Sequence, residues 1–184
     1  MVRPVLRSER LELRAMTLEH LPLLIALDAD PEVLRHILGR ARGPREARDF
    51  WTPKCVDTAA DALGLGWWVG FTRPDRDDEL DFVGWWTLSP GSIDGRTPHA
   101  TERAEAGWRL ARRHWGKGLA SEGAVTVFDH GFTTVGLDAI WAETAASNVG
   151  SRGVMRRLGM QHVHTEHDQM IHEVTRSQWL SLRD

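Results

Sequence analysis

Between residues 119 and 132 the apolar side chains recur at helical spacing. Ala120, Ala124, Val127 and Gly131 form one stripe and Val125, Phe128 and Phe132 a neighbouring one, which predicts a helix of about four turns buried on one side. Three other stretches read as strands: Leu6 to Ala15, Ala104 to Ala111 and Leu137 to Thr144. Gly66 to Thr72 and Leu80 to Leu88 are rich in Trp, Val and Phe and flank the turn-like Arg73-Pro-Asp-Arg-Asp-Asp-Glu79, the pattern of an antiparallel hairpin. A helix is expected from about Leu18 with Thr17 as its cap. A less regular helical region should run from about Pro44 with an interruption at Pro53. Near the C-terminus, Gln161 to Glu166 and Gln169 to Val174 predict a second hairpin, and Thr175-Arg-Ser-Gln178 a capping box opening a short helix. Helices interleaved with antiparallel and parallel strands, without strict βαβ alternation, imply an α+β protein: a mixed sheet covered by helices.

The run Arg113-His-Trp-Gly116-Lys-Gly118-Leu-Ala-Ser-Glu122 joins a predicted strand to the predicted helix. Glycine at 116 and 118 lets the backbone turn tightly, and the unpaired N–H groups of the first helical turn then point at whatever sits there. An anion is the natural occupant. The helix dipole contributes only about 0.3–1 kcal/mol, so aimed hydrogen bonds and the cations Lys117, Arg112 and Arg113 must supply most of the affinity. A nucleotide-triphosphate loop would need a hydroxyl residue where Gly118 follows Lys117. A dinucleotide fold would need a third glycine. Neither fits.

The chain has 184 residues, 41% of them hydrophobic, enough for one domain spanning 1–184 with a sizeable core. With 23 basic and 26 acidic residues the net charge is −3, so no overall field recruits nucleic acid, and the basic residues at Arg109, Arg112, Arg113 and Lys117 form a local patch suited to a small polyanion. No apolar run approaches a membrane span. A lone Cys55 and the absence of an apolar leader before the first strand make the cytoplasm the expected setting.

Arg113-x-x-Gly116-x-Gly118 between strand and helix resembles the acetyl-CoA pyrophosphate motif of the GNAT superfamily of N-acetyltransferases. Ser147-Asn148-Val-Gly-Ser151, running on to Leu158-Gly159-Met160, is similar to the superfamily's Asn-x-x-Ser helix ending in Leu-Gly-Met. Leu6 to Arg14 looks like the first strand of the RimJ/RimL-like branch, which acetylates ribosomal-protein N-termini. The resemblance implies a GNAT-type fold, a mostly antiparallel mixed sheet in which two central parallel strands splay apart and the pantetheine arm of acetyl-CoA lies in the gap. Cofactor contacts then fall to Trp108, Arg109, Leu110, Ala111, Arg112, Arg113, Gly116, Lys117, Gly118, Leu119, Ala120, Asn148 and Ser151. Backbone groups from Trp108 to Ala111, left free by the splay, would pair with pantetheine amides almost as an added strand. Asn148 also suits a helix N-cap.

The implied activity is acetyl transfer to a primary amine of a small molecule or a protein N-terminus, by direct attack. The alternative is a non-catalytic acyl-CoA sensor or interaction module. Attack needs a neutral amine, and Glu105, which precedes Gly107-Trp108 where RimJ/RimL-like sequences often carry Glu, is the candidate base. Alternation puts Glu105, Gly107, Arg109 and Ala111 on one face, and a Glu105 salt-bridged to Arg109 or exposed at the strand entrance is the structural alternative of equal weight. Many GNAT enzymes use a Tyr as the acid for the departing thiolate, but this chain has none. Ser151 could hydrogen-bond the sulfur instead. Acceptor specificity is expected in Gly43 to Gly66 and in the loop Ser89 to Arg103.

Nine Trp include the pairs Trp67-Trp68 and Trp85-Trp86, each placing one indole on either side of its strand. The outward members could line an acceptor pocket or a homodimer surface. His162, His164, His167 and His172 invite a metal reading, but no Cys accompanies them and the family chemistry requires no metal, so a solvent-facing hairpin is the expectation.

Overall fold

The computed structural model describes residues 3–57, 59–73, 80–91 and 102–183. Eight strands form one sheet in the order β1-β2-β3-β4-β5-β6-β8-β7. They are β1 (Leu6–Arg7), β2 (Leu11–Ala15), β3 (Gly66–Thr72), β4 (Phe82–Pro90), β5 (Arg103–Leu110), β6 (Ala139–Ala145), β7 (Gln161–Glu166) and β8 (Gln169–Thr175). Every neighbouring pair is antiparallel except β5 and β6, which run parallel. The helices are α1 (Leu21–Asp28), α2 (Pro44–Cys55), α3 (Ala59–Ala62), α4 (Leu119–Asp129), α5 (Val149–Arg157) and α6 (Arg176–Ser181). The expected α+β class and splayed mixed sheet are what the chain adopts. Among the described residues no helix is long and apolar enough to cross a membrane.

Side-chain alternation along the central strands builds a core on each face. Trp68, Trp86 and Leu88 pack under α4, α5 and α6 with Phe128, Met155 and Trp179. On the other face Val69, Phe71 and Trp85 pack with Leu24 of α1 and Trp51 of α2. Trp68, Trp85 and Trp86 are therefore inside, and half-buried Trp67 packs against the second core. Trp67 lies 4.9 Å from Trp85 and 5.6 Å from Trp51 between ring centroids.

Three local expectations differ from the structure. The strand drawn from Leu6 to Ala15 breaks at Ser8, whose N–H donates to the Leu11 carbonyl and whose hydroxyl accepts from the Leu11 N–H, reversing the chain into the β1-β2 pair. The α2 helix continues through Pro53 to Cys55. One lost backbone bond two residues from its end is outweighed by the buried Trp51 and Cys55 on its inner side. The long helix of residues 119–132 ends its regular part at Asp129 and carries on as a wider π-type turn over His130–Val135. The capping boxes at Thr17 and Thr175 form, the first opening a 3₁₀ turn over Leu18–His20 rather than α1 itself. Residues 74–79 of the first hairpin and 92–101 of the loop before β5 lie outside the described residues. In the last hairpin His162 opposes His172, the two rings meeting edge-on at 5.4 Å between centroids, and a register shift follows between His162 and His164. Among the described residues no three His, Cys, Asp or Glu gather as a metal site.

Helix α4 is held to the sheet by one close approach. A Cβ on Gly123 would fall 2.4 Å from Cε2 of Trp86, and the Trp86 indole N–H donates to the Ala120 carbonyl at 3.0 Å. Alanine is the better helix former by about 0.5–1 kcal/mol, but overpacking here costs about 1–3 kcal/mol. Gly123→Ala is therefore expected to lower the urea midpoint of unfolding; an unchanged or raised midpoint contradicts this packing.

Candidate active site

β5 and β6 pair over Arg103–Glu105 and Ala139–Trp141. Beyond those residues β5 continues to Leu110 and β6 to Ala145 with a gap between them. The Ala111 N–H donates to the Val83 carbonyl at 2.9 Å, and Gly84 opposes Leu110. Antiparallel alternation then turns the main-chain groups of Gly107 and Arg109 toward β4, and those of Ala106, Trp108 and Leu110 into the gap. The Leu110 carbonyl accepts from the Trp115 indole at 2.8 Å. The stretch expected to be free, Trp108 to Ala111, is thus corrected: Arg109 and Ala111 are engaged with β4, and Ala106 joins Trp108 and Leu110 as a residue facing the gap.

At the end of β5 a 3₁₀ turn over Arg112–His114 leads into the glycine bend. Gly116 and Gly118 have φ of 73° and 79°, the left-handed region that favours glycine. The first intrahelical bond of α4 runs from the Glu122 N–H to the Gly118 carbonyl at 3.1 Å, so the N–H groups of Leu119, Ala120 and Ser121 stay open for an anion. The expected basic patch disperses. Arg109 turns to Asp28 at 2.8 Å, Arg112 to Asp30 at 3.2 Å and Arg113 to Asp81 at 2.5 Å, because each finds a carboxylate on a neighbouring element. Besides Arg109, the guanidinium residues lining the groove are Arg35 and Arg157, which no local motif marks.

Two cavities meet at the gap. A groove of about 760 Å³ is lined by the cradle, by Trp108–Leu110, by Asn148–Ser151 and by the segment Glu32–Ile37 between α1 and α2, in which Leu34 turns away from the groove. A pocket of about 380 Å³ is lined by Trp85, Glu105–Arg109, Ala142–Ala145 and Gln169. Trp108, Arg109, Asn148, Ser151, His36 and Ile37 border both. Among the described residues none from Gly43 to Gly66, one of the two stretches where acceptor specificity was expected, lines either cavity, and residues 92–101 of the other lie outside the described residues. Trp51 from the first stretch lies behind the wall, and the cover comes instead from residues 32–37. Asn148 is the N-cap of α5, its Oδ1 accepting from the Ser151 N–H at 3.1 Å, and so fixes both side chains at the mouth of the gap.

Glu105 faces the smaller pocket with Glu143 of β6. Burial, and then the neighbouring Glu143 carboxylate, push its pKa above the ordinary carboxylate value. Arg109 does not pair with it. The Arg109 guanidinium shares the fully buried Asp28 carboxylate with Arg42 at 2.6 Å and the Trp51 indole at 2.9 Å. Stripping one partner from such a buried pair costs about 3–5 kcal/mol, so this cluster clamps α1 and α2 against β5. Arg109 Nε and Trp85 Nε1, on two residues that line the pocket, are buried without a partner among the described residues.

A sheet that opens between two parallel strands beside an anion cradle is shared with known proteins. Residues 10–161 match the Acetyltransferase (GNAT) domain family. The chain is a GNAT acetyltransferase. It is 34% identical over 196 aligned residues to an FsC-acetyl coenzyme A-N(2)-transacetylase from Aspergillus fumigatus, covering 98% of this chain and 80% of that one. Its fold superposes on a GNAT-family acetyltransferase from Bacillus anthracis with a TM-score of 0.75 at 17% identity, covering 95% and 99% of the two chains. It also superposes on the spermidine N-acetyltransferase of Vibrio cholerae, solved with CoA and spermine, with a TM-score of 0.69 at 18% identity, covering 94% and 99%. GNAT enzymes use acetyl-CoA, and the donor set of this chain fits it: open N–H groups at the cradle for a diphosphate, open main-chain groups in the gap for an amide-bearing arm.

In this GNAT domain Glu122 anchors the cradle. Its carboxylate accepts from the Ser8 hydroxyl at 2.7 Å, the Arg10 N–H at 2.8 Å and Arg10 Nε at 2.7 Å. Burial pushes its pKa up, but these hydrogen bonds outweigh it and the net shift is downward. Because the folded carboxyl holds its proton less tightly than the unfolded one, the stabilisation is full above about pH 4.5 and is lost as pH falls through the lower folded value. Glu122→Gln is expected to cost about 1–3 kcal/mol at pH 7 and progressively less in urea melts at acid pH; a pH-independent difference contradicts this role.

Proposed function

We propose that this chain moves the acetyl group of acetyl-CoA to a primary amine by direct attack in a ternary complex, with Glu105 as the base. The observation that carries the reading is the raised pKa of Glu105 in a pocket that opens onto the gap between β5 and β6. When bound, acetyl-CoA supplies a thioester carbonyl activated toward amines. The chain's own groups do the rest. The cradle N–H groups of Leu119, Ala120 and Ser121 take the diphosphate, and the main-chain groups of Ala106, Trp108 and Leu110 orient the arm and polarise the carbonyl. Lys117, Arg112 and Arg113 contribute to this site through the backbone they carry. Asn148 and Ser151 stand at the junction of groove and pocket, where the Ser151 hydroxyl can donate to the sulfur, while the proton the sulfur finally needs comes from the amine or water.

Glu105 Oε takes the proton from the incoming ammonium. Desolvation raises its basicity toward that of the amine, which strengthens the proton transfer. The acceptor class is a primary amine. The Aspergillus relative, named as an acetyl coenzyme A-N(2)-transacetylase, supports a nitrogen acceptor. The RimJ/RimL-like resemblance of residues 6–14 supports a protein N-terminus, but Ser8 and Arg10 of that stretch are already occupied in anchoring α4.

Glu105→Gln is expected to lower kcat by about 10²–10⁴-fold while leaving acetyl-CoA affinity, read by calorimetry, within about twofold. The acid limb of the wild-type pH–rate profile should lie above the ordinary Glu pKa of 4.5 and vanish in the variant. Equal turnover of the two proteins across the pH range removes Glu105 as the base.

A further inference from the structure

We propose that Glu143 is a positioning residue for acetyl transfer: its carboxylate, carried on the strand that parts from β5, keeps Glu105 ready to take a proton and draws ammonium acceptors into the smaller pocket. This rests on the acetyl-transfer reading of that pocket.

Register places the two carboxylates. Glu105 and Trp141 are the last paired residues of β5 and β6, and partners in register send their side chains to the same face of a sheet. Glu143, two residues further along β6, returns to that face, where a continued ladder would set it opposite Gly107. The strands part instead. Glu105 and Glu143 therefore stand diagonally across the start of the gap and both line the pocket; diagonal side chains on neighbouring strands lie about 7–8 Å apart. Their surroundings differ. Glu105 is half-buried, and its Oε2 and the edge of the buried Trp141 crowd Gly91, 3.7 and 3.6 Å from where a Cβ would stand, so it loses hydration on that side. Glu143 is exposed, and a solvated carboxylate is charged at neutral pH.

A negative charge on Glu143 disfavours a second one on Glu105 and so favours its bound proton, and the same field favours a cation entering the pocket. One charge serves both steps. The other charged groups near Glu105 among the described residues have their own partners. On its face of the sheet, Arg103 is bonded to Glu173 of β8 at 2.6 Å, and Arg109 to Asp28 at 2.8 Å. From β4, β8 and the start of α5 the pocket receives Trp85, Gln169, Asn148 and Ser151, which carry no charge. His36, from the segment over the gap, is the remaining titratable group at the pocket, and Ser147 and Arg35 hold its ring at 3.3 Å each. Neither arginine of β5 turns to Glu105, so the charge it meets is that of Glu143.

The test compares wild type with Glu143→Gln and Glu143→Asp, changes at an exposed side chain that the fold is expected to tolerate. The Glu105 carboxyl is titrated by 13C NMR in the protein without ligands, and KM for phenethylamine is measured from CoA release at saturating acetyl-CoA. Glu143→Gln is expected to lower the Glu105 midpoint by about half a pH unit, the Coulomb effect of one charge at that distance in a partly solvated site. The same energy read on the incoming cation raises KM by about threefold. Glu143→Asp keeps the charge and should restore most of both. At about 1 M salt, where the Debye length is about 3 Å, wild type and Glu143→Gln should converge, which a merely structural role does not produce. A Glu105 midpoint that Glu143→Gln leaves in place, or a difference that salt leaves intact, overturns the inference and leaves acetyl transfer standing. A midpoint that shifts as expected, with no CoA released from bound acetyl-CoA by phenethylamine, spermidine or trialanine, upholds the coupling of the two carboxylates and overturns the acetyl-transfer reading itself.

Discussion

A parallel pair of strands that stays together for three residues and then parts imposes the main constraint on this molecule. Main-chain N–H and C=O groups inside a sheet are expensive to leave unpaired, and the divergence of β5 from β6 after Glu105 and Trp141 leaves those of Ala106 and Trp108 and the N–H of Leu110 without a strand, the Leu110 carbonyl being taken by the Trp115 indole. Their position in the centre of an eight-stranded sheet means that water or an extended ligand must complete them. The groove, the pocket and the identity of the cofactor follow from that vacancy in the ladder.

The rest of the fold holds the vacancy open. On one face Trp86 docks α4 so closely that Gly123 has no room for a side chain, and this fixes the helix end whose N–H groups continue the line of donors from β5. Glu122 then locks the same helix end to Ser8 and Arg10. On the other face the Asp28 cluster joins α1, the start of α2 and β5 through side chains buried from water, which brings residues 32–37 over the gap. Asn148 caps α5 at the mouth of the opening. Apart from the local cap at Asn148, these contacts act between elements separated in sequence, so the site is a product of the whole sheet and its two cores.

That separation explains what could be read from the sequence. The glycine bend at Gly116 and Gly118 was legible because left-handed backbone and a following helix are local properties, as were the caps at Thr175 and Asn148. The splay itself became legible through the family resemblance of two motifs. The break at Ser8 was marked only by a slip in phase between Leu6 and the pair Leu11 and Leu13, and the turn is closed by a backbone and a side-chain hydrogen bond between Ser8 and Leu11. The fate of the arginines was equally hidden: Asp28, Asp30 and Asp81 claim Arg109, Arg112 and Arg113 through packing that no spacing rule encodes. His36 and Ile37 carry no periodic signal, and they reach the site only because Asp28 and Arg42 draw the ends of their loop together.

Hydrogen–deuterium exchange with and without acetyl-CoA tests the central claim most directly. If the cofactor completes the sheet, the amides of Ala106, Trp108 and Leu110 and those of Leu119 to Ser121 will show the largest gain in protection, while Gly107 and Arg109, already bonded to β4, change little. Binding that leaves the exchange of those six amides unaltered would contradict the account.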